Sequence, residues 1–200
     1  MDHILNSAED SRRTFADFKL ASPLQKAILN LGFEFCTPIQ AQSLVHTLAG
    51  HDVTGRAQTG TGKTIAFLLT ILNDLLSNPV EDRYIAEPRA LIIAPTRELA
   101  IQIAADANML TRFCNIHVVT LVGGEEYKKQ LDALDRKAVD IVVATPGRLL
   151  DFVTNENVYL GLIELLVLDE ADRMLDMGFI PQVRRVLAQT PRKDCRQTLM

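Results

Sequence analysis

Polar and apolar positions follow two alternating patterns from residue 52 onward. Short runs rich in Val, Ile and Leu are separated by longer stretches in which apolar residues recur every three or four positions. The first pattern is typical of strands buried on both faces, and the second is typical of amphipathic helices. Together they predict strands at 52–56, 90–94, 116–122, 140–144 and 164–168, and helices at 63–76, 97–112, 125–136, 147–154, 171–176 and 181–189.

This alternation of strand and helix predicts an α/β fold with a doubly wound, mostly parallel sheet and helices on both faces. Two further helices are expected before the first strand, one starting at Ser22-Pro23 with Ser22 as N-cap and one starting at Thr37-Pro38. We expect residues 1–13 to form a flexible leader and residues 14–200 to form one domain. In such sheets, ligands bind at the carboxyl ends of the strands.

The segment AQTGTGKT, Ala57 to Thr64, is predicted to be a phosphate-binding loop. Glycines at 60 and 62 allow a tight turn that brings backbone N–H groups close to phosphate oxygens. Lys63 supplies a positive charge for the outer phosphates, and the Thr64 hydroxyl is placed to bind Mg²⁺. The strict motif has Gly where this chain has Ala57, so the surrounding pattern of strand, loop and helix is part of the argument.

An acidic pair follows the last predicted strand of this pattern. Asp169 and Glu170 come directly after Leu165–Leu168. Beside a phosphate loop, such a pair supplies a Mg²⁺ ligand and a carboxylate for the attacking water. The alternative, two solvated acids after a core strand, is less consistent with the phosphate loop.

Three other predicted strands end in residues suited to a phosphate backbone. Each is followed by a helix start, a glycine pair or a hydroxyl, and two of them by an arginine. Helix N-termini and free N–H groups bind phosphates, and arginine binds them with two hydrogen bonds. Each segment alone could be only a turn and a helix cap. The repetition of such segments at one edge of the sheet favours a surface that binds a polyanion. The residues are Pro95, Thr96, Arg97, Gly123, Gly124, Thr145, Pro146, Gly147 and Arg148.

The composition limits the class of protein. The 200 residues are 48% hydrophobic and carry a net charge of −4, so a nucleic acid would have to be held by a local surface. The three cysteines lack the spacing of a metal site and indicate a reducing, cytoplasmic location. The polar, acidic N-terminus differs from a signal peptide, and we expect no membrane association.

At this point the chain resembles the first RecA-like domain of a DEAD-box RNA helicase. Asp169 to Asp172 spells DEAD, and GFEFCTPIQ, Gly32 to Gln40, is similar to the family's adenine-reading segment. AQTGTGKT, PTRELA, the glycine pair and TPGR match the family in order and approximate spacing. The resemblance covers about residues 14 to 200. The segments LAGHDVTGRAQTGTGKT and LDEADRMLDMGF resemble bacterial members, of the type attached to the RNA degradosome.

The resemblance implies an ATP and Mg²⁺ site and a role for each matching residue. Gln40 would hold the adenine edge, Phe15 would stack on the base, and Thr37 would support the segment. Glu170 would orient or deprotonate the attacking water, Asp169 would coordinate Mg²⁺ with Thr64, and Lys63 would complete the catalytic set. The remaining nucleotide-binding residues would be Gln58, Thr59, Gly60, Thr61 and Gly62.

The resemblance also implies an RNA partner for the polyanion surface. Asp172 would couple the site to a second RecA-like domain, and ATP would close the two domains over RNA and bend one strand out of a duplex. A ribonuclease scaffold, as in the degradosome, is a further expected partner.

In the family, a Ser-Ala-Thr element and the second domain follow the point at which this chain stops. We therefore expect a fragment that binds adenine nucleotide weakly, hydrolyses ATP very slowly and does not unwind RNA alone. Two alternatives remain at this stage. One is another P-loop ATPase, such as a DNA translocase, and the other is a non-catalytic binding platform.

Overall fold

The structure, a computed structural model, describes residues 13–55, 60–80 and 83–200, together with the backbone of the short strand His3–Ile4. Along these residues the strands are β1 (His3–Ile4), β2 (Val53–Thr54), β3 (Ala90–Ile93), β4 (Val118–Leu121), β5 (Ile141–Ala144), β6 (Leu165–Leu168) and β7 (Gln197–Leu199). The helices are α1 (Ser22–Asn30), α2 (Pro38–Thr47), α3 (Lys63–Ser77), α4 (Arg97–Leu110), α5 (Tyr127–Asp135), α6 (Pro146–Thr154), α7 (Ala171–Asp176) and α8 (Ile180–Leu187). Two short 3₁₀ helices lie at Phe15–Asp17 and Lys193–Cys195.

The chain divides into two compact units. The first comprises residues 1–79, 106–115 and 199, and the second comprises residues 80–105, 116–198 and 200. Helix α4 and strand β7 each contribute residues to both units.

In the first unit, β2 pairs in parallel with β1 on one side and with Leu199 on the other. The core of this unit lies largely between α2 and α3, and α3 is buried along most of its length because its sequence is almost continuously apolar. A hydrogen bond of 2.7 Å between the buried Thr47 and Thr70 hydroxyls joins these two helices. Thr70 also donates to the carbonyl of Ala66, one turn earlier in α3, so a buried polar contact fixes how the helices meet.

In the second unit, the strands lie in the order β7-β6-β3-β5-β4. The central pairs are parallel and in register, so the last residues of β4, β5, β3 and β6 lie side by side: Leu121, Ala144, Ile93 and Leu168. The residues of β3 are fully buried, as expected for a parallel strand covered on both faces. The core of this unit includes Leu91, Val142, Leu149, Phe152 and Leu166.

The predicted α/β fold with a parallel sheet is confirmed. Strands β2 to β6 and helices α3 to α8 lie where the hydrophobic pattern indicates, although β2 and β4 are shorter than the predicted 52–56 and 116–122. Strands β1 and β7 were not predicted from that pattern. The predicted N-cap at Ser22 is wrong, since Ala21 occupies that position and Ser22 lies inside α1. The predicted leader, residues 1–13, lies mostly outside the described residues, since the structure describes only His3–Ile4 and residue 13 of it. The flexibility of this leader therefore stays a prediction.

Candidate functional site

The described part of the predicted phosphate loop has the backbone that such a loop requires. Gly60 and Gly62 have φ angles of 85° and 91°, in the left-handed region that favours glycine. Gly62 is the N-cap of α3, so Lys63 and Thr64 lie in the first helical turn. The N–H groups in the first turn of a helix point outward from its start, and such turns commonly bind anions. Gln58 and Thr59, which were also predicted to bind nucleotide, lie outside the described residues.

The side chain of Gln40 connects the predicted adenine-reading segment with this loop. Its Oε1 accepts a hydrogen bond of 2.9 Å from the backbone N–H of Thr37, while the Thr37 hydroxyl accepts one of 3.4 Å from the Gln40 N–H. These two bonds form a capping box at the start of α2. The Gln40 Nε2 donates a bond of 3.1 Å to the carbonyl of Gly62. The side chain is nearly buried, with 6% of Gln40 exposed, so its position is fixed by these contacts.

The approach of Gln40 to the loop also explains why residue 62 is glycine. A Cβ atom at this position would lie 2.3 Å from Gln40 Nε2 and 3.2 Å from the Thr37 hydroxyl oxygen. Among the residues that the structure describes, none lies within 4 Å of the corresponding atom at Gly60. Gly62 is therefore required for both its φ angle and the space that it leaves, whereas the described contacts require glycine at position 60 for its φ angle.

Phe15 lies against the segment that contains Gln40. Its backbone N–H donates to the carbonyl of Glu34, and its ring packs 6.4 Å from the ring of Phe33, measured between centroids. The residue is 5% exposed, and it borders a cavity of about 260 Å³. Cys36 in the same segment is buried, and this burial, with a smaller effect from the Asp17 carboxylate, raises the pKa of its thiol to about 11.

The acidic motif follows β6 in a strained turn. Asp169 is buried, its N–H donates to the carbonyl of Ile93, and its Oδ1 accepts from the N–H of Glu170 at 3.1 Å. Glu170 has φ 50° and ψ 49°, a left-handed conformation that is uncommon for a residue with a side chain. Its carboxylate forms an ion pair of 3.2 Å with Arg173, three residues later. Strain of this kind is concentrated at functional sites, so the conformation supports a role for Glu170.

Asp172, the predicted coupling residue, lies on the exposed side of this turn. Its Oδ1 accepts a hydrogen bond of 2.9 Å from the N–H of Arg173. The side chain is therefore presented at the surface of the second unit, where a separate domain could contact it.

The residues predicted to face a polyanion lie together at one edge of the second unit. Hydrogen bonds continue the strand register by one step beyond the strands, from Ala94 to Ala144 and from Thr145 to Leu121. The segments that begin at Pro95, Gly123 and Thr145 therefore start from adjacent positions. This geometry agrees with the sequence prediction of a common edge.

Two arginines from different helices meet one residue at this edge. Arg97 donates from Nη1 to the carbonyl of Gly123 and from Nη2 to the carboxylate of Glu125, each at 3.3 Å. Both terminal nitrogens of Arg148 donate to the carbonyl of Glu125, also at 3.3 Å. A Cβ atom on Gly124, where φ is 75°, would lie 2.8 Å from Arg97 Nη1. The turn at 123–125 therefore positions both guanidinium groups.

Three residues that shape this edge were not predicted from the sequence. Glu125 contacts both arginines, as described above. Gln130 is buried and uses both ends of its amide on the main chain of Val122, accepting from the N–H at 3.0 Å and donating to the carbonyl at 3.1 Å. Tyr127 stacks on Phe152 at 4.2 Å between centroids and lies under the guanidinium of Arg148. The sequence signal for Glu125 was its place directly after the glycine pair.

The donor groups suit a metal that is held partly by phosphate. The described residues contain no group of three or more His, Cys, Asp or Glu side chains that could bind a metal ion by themselves. Mg²⁺ is usually bound by one or two carboxylates together with substrate phosphates and water. The buried carboxylate of Asp169 and the hydroxyl of Thr64 are oxygen donors of the type that Mg²⁺ prefers.

Residues 37–200 match the family of DEAD/DEAH box helicases. The chain belongs to this family. The match includes Thr37 to Gln40, the phosphate loop, the arginine-bearing edge and the DEAD motif. The predicted RecA-like fold of a DEAD domain is confirmed.

Curated relatives of the chain carry the name ATP-dependent RNA helicase RhlB. The chain is 58% identical to the Pseudomonas putida protein over 193 residues, which is 96% of this chain and 48% of that protein. It is 50% identical to the Enterobacter protein, covering 90% of this chain and 43% of that protein. Against the RhlB protein of a Shewanella species it is 49% identical, with coverages of 95% and 43%.

These similarities confirm the predicted resemblance to bacterial DEAD-box proteins. The chain spans about half the length of the curated relatives that it matches. In the part of the chain that the structure describes, no helix is both long and apolar enough to cross a membrane.

Proposed function

We propose that this chain acts as the ATP-binding and RNA-binding first domain of a DEAD-box RNA helicase. The reaction would be ATP hydrolysis coupled to local separation of RNA duplexes or to remodelling of RNA–protein complexes. The observation that carries this proposal is the Gln40 side chain, which joins a DEAD-family adenine segment to the phosphate loop through Thr37 and Gly62.

The chemistry of the Gln40 amide is compatible with adenine recognition. A side-chain amide has two donor hydrogens and two acceptor lone pairs. The bonds to Thr37 and Gly62 use one of each, which leaves one N–H and one lone pair for the edge of a base. Adenine offers both an acceptor and a donor on its N7/N6 edge, whereas guanine offers two acceptors there. Gln40 would therefore favour ATP over GTP, and Phe15 would stack on the base from the neighbouring segment.

The phosphates of ATP would be held at the start of α3. The N–H groups of the loop from Gly60 to Gly62 and the ammonium of Lys63 would bind them, together with Gln58 and Thr59, which precede the loop in the sequence. The Mg²⁺ ion, when bound, neutralises charge on the β- and γ-phosphate oxygens. Thr64 and Asp169 would hold that ion, and Glu170 would orient or deprotonate the attacking water.

The edge that carries Arg97 and Arg148 would bind the phosphates of one RNA strand. The N-terminus of α6 at Thr145 and the glycine pair at 123–124 add backbone N–H groups to the two guanidinium groups. Contacts of this kind position a nucleic acid without reading its sequence. This domain would therefore bind RNA of many sequences, with an affinity that falls as salt rises.

The remaining parts of the proposal extend the sequence resemblance to DEAD-box helicases. A second RecA-like domain, contacted through Asp172, would complete the ATP site and close over RNA. A ribonuclease scaffold of the degradosome type would be a protein partner, and the cytoplasm would be the location.

The proposal is tested by joining this chain to the second half of the Pseudomonas putida RhlB protein and measuring ATP hydrolysis. Single-stranded RNA should stimulate hydrolysis, and DNA of the same sequence should not. Glu170→Gln should abolish turnover while leaving nucleotide binding intact, because the carboxylate acts on the water and not on the nucleotide. The isolated chain should hydrolyse ATP very slowly. Equal stimulation by DNA, or hydrolysis indifferent to any nucleic acid, would overturn the proposal.

A further inference from the structure

We infer that Glu125 is a positioning residue that limits the affinity of this domain for RNA. Its carboxylate occupies the edge of the Arg97 guanidinium that a phosphate would use, so RNA has to displace it. This inference rests on the proposed function, since it concerns the same phosphate-binding edge.

The contacts at Glu125 divide into two kinds. The carboxylate is paired with Arg97 Nη2 at 3.3 Å, and the main-chain carbonyl accepts from both terminal nitrogens of Arg148. A single residue therefore holds the two arginines by chemically different means. Replacing the carboxylate by an amide removes the negative charge beside Arg97 and leaves the main-chain contact to Arg148 in place.

The ion pair lies at the surface and is open to competition. The side chain of Arg97 is 41% exposed and that of Glu125 is 30% exposed. A carboxylate and a phosphate both bind a guanidinium through paired N–H···O bonds, so they compete for the same donors. When a phosphate takes this place, the displaced carboxylate remains close to it as a like charge.

The expected effect is modest, because exposed ion pairs contribute little. Pairs of this exposure are typically worth a factor of about two to five in an equilibrium constant. Replacing Glu125 by Gln should therefore tighten RNA binding about two- to fivefold at low salt. The slope of log affinity against log salt should become steeper by up to about 0.7, since one more phosphate is effectively neutralised.

The neighbouring Glu126 provides a matched control. It carries the same charge one residue away and is exposed at the N-cap of α5 without a side-chain capping bond. Glu126→Gln changes the net charge of the protein by the same amount as Glu125→Gln. Any general electrostatic effect on RNA binding should appear in both variants. The effect of the ion pair with Arg97 should appear only in Glu125→Gln.

The experiment measures binding of a fluorescein-labelled poly(U) oligonucleotide to the whole chain by fluorescence anisotropy at several salt concentrations. Glu125→Gln should bind more tightly than Glu126→Gln, and the gain should vanish when Arg97→Gln is combined with it. The guanidinium NMR signals of Arg97 should shift in Glu125→Gln without RNA, while those of Arg148 should not.

The outcomes separate this inference from the proposed function. Equal affinities of the Glu125→Gln and Glu126→Gln variants, or weaker binding by Glu125→Gln, would overturn the inference and leave the RNA-binding edge in place. If no variant bound poly(U) while Mg-ADP still bound, the RNA-binding part of the proposed function would fall, and the inference with it.

Discussion

Replacing Gly62 by alanine tests the contact between the adenine segment and the phosphate loop. The new Cβ atom would lie 2.3 Å from Gln40 Nε2, a distance that real contacts do not reach, so the Gln40 amide would have to move. The matched change is Gly60→Ala, which introduces the same atom at a similar φ angle with no described residue within 4 Å of it. The two variants therefore share the backbone strain and differ in the displacement of Gln40.

The size of the difference follows from the hydrogen bonds that Gln40 makes. A left-handed conformation costs an alanine about 1–2 kcal/mol, and this cost applies at both positions. Moving the Gln40 amide breaks its bonds to Gly62 and Thr37, each with a net contribution of about 0.5–1.5 kcal/mol. Gly62→Ala should therefore lower the free energy of unfolding by about 1–3 kcal/mol more than Gly60→Ala does.

Unfolding by guanidinium chloride at 25 °C, followed by far-UV circular dichroism, measures this difference. It appears as a shift in the midpoint denaturant concentration, while the dependence of the unfolding free energy on denaturant stays constant. A double-mutant cycle with Gln40→Ala isolates the contact. Without the Gln40 amide, the difference between the two alanine substitutions should shrink to the effect of the remaining 3.2 Å contact with the Thr37 hydroxyl oxygen. If Gly62→Ala and Gly60→Ala were equally destabilising in the unmodified chain, the proposed link through Gln40 would be refuted.

Three further results are expected. Gly124→Ala should weaken poly(U) binding and lower the free energy of unfolding, because residue 124 has φ 75° and the new Cβ would lie 2.8 Å from Arg97 Nη1. Gly123→Ala, whose Cβ would have no described residue within 4 Å, should change RNA affinity and stability little. Fluorescence anisotropy and unfolding assays measure the two quantities. Gln130→Ala should lower the free energy of unfolding by about 2–4 kcal/mol, because the buried N–H and carbonyl of Val122 lose their hydrogen-bond partner. Gln130→Glu should keep the bond to the Val122 N–H and lose the bond to the Val122 carbonyl. In alkylation at pH 8 followed by mass spectrometry, the exposed Cys195 should react long before Cys36, whose burial and pKa of about 11 keep it protonated; equal rates would contradict the buried position.

The hydrophobic pattern was sufficient to predict most of the fold. Strands such as Ala90–Ile93 are buried on both faces, so their composition alone separates them from the helices between them. Helix starts are less well determined, because a serine before proline can lie inside the helix, as Ser22 does. An N-cap depends on where the chain turns, which neighbouring segments decide.

Residues that belong to local sequence motifs were singled out from the sequence, whereas contacts between distant segments could not be predicted from it. Gly62 and Lys63 belong to a pattern that is readable within one segment. Gln130 lies in the polar helix Tyr127–Asp135, where nothing distinguishes a buried glutamine from a solvated one. Its partner is the main chain of Val122, directly after β4, and main-chain partners leave no trace in the sequence. The contact from Gln40 to Gly62 spans 22 positions and depends in the same way on tertiary packing.

Calorimetric titration of the chain with Mg-ADP and Mg-GDP tests whether the Gln40 segment and the phosphate loop form an adenine-selective nucleotide site. We expect tighter binding of Mg-ADP, loss of that preference in Gln40→Ala, and weaker binding of both nucleotides in Lys63→Ala. Equal binding of the two nucleotides by the unmodified chain, or a preference that persists in Gln40→Ala, would contradict this expectation.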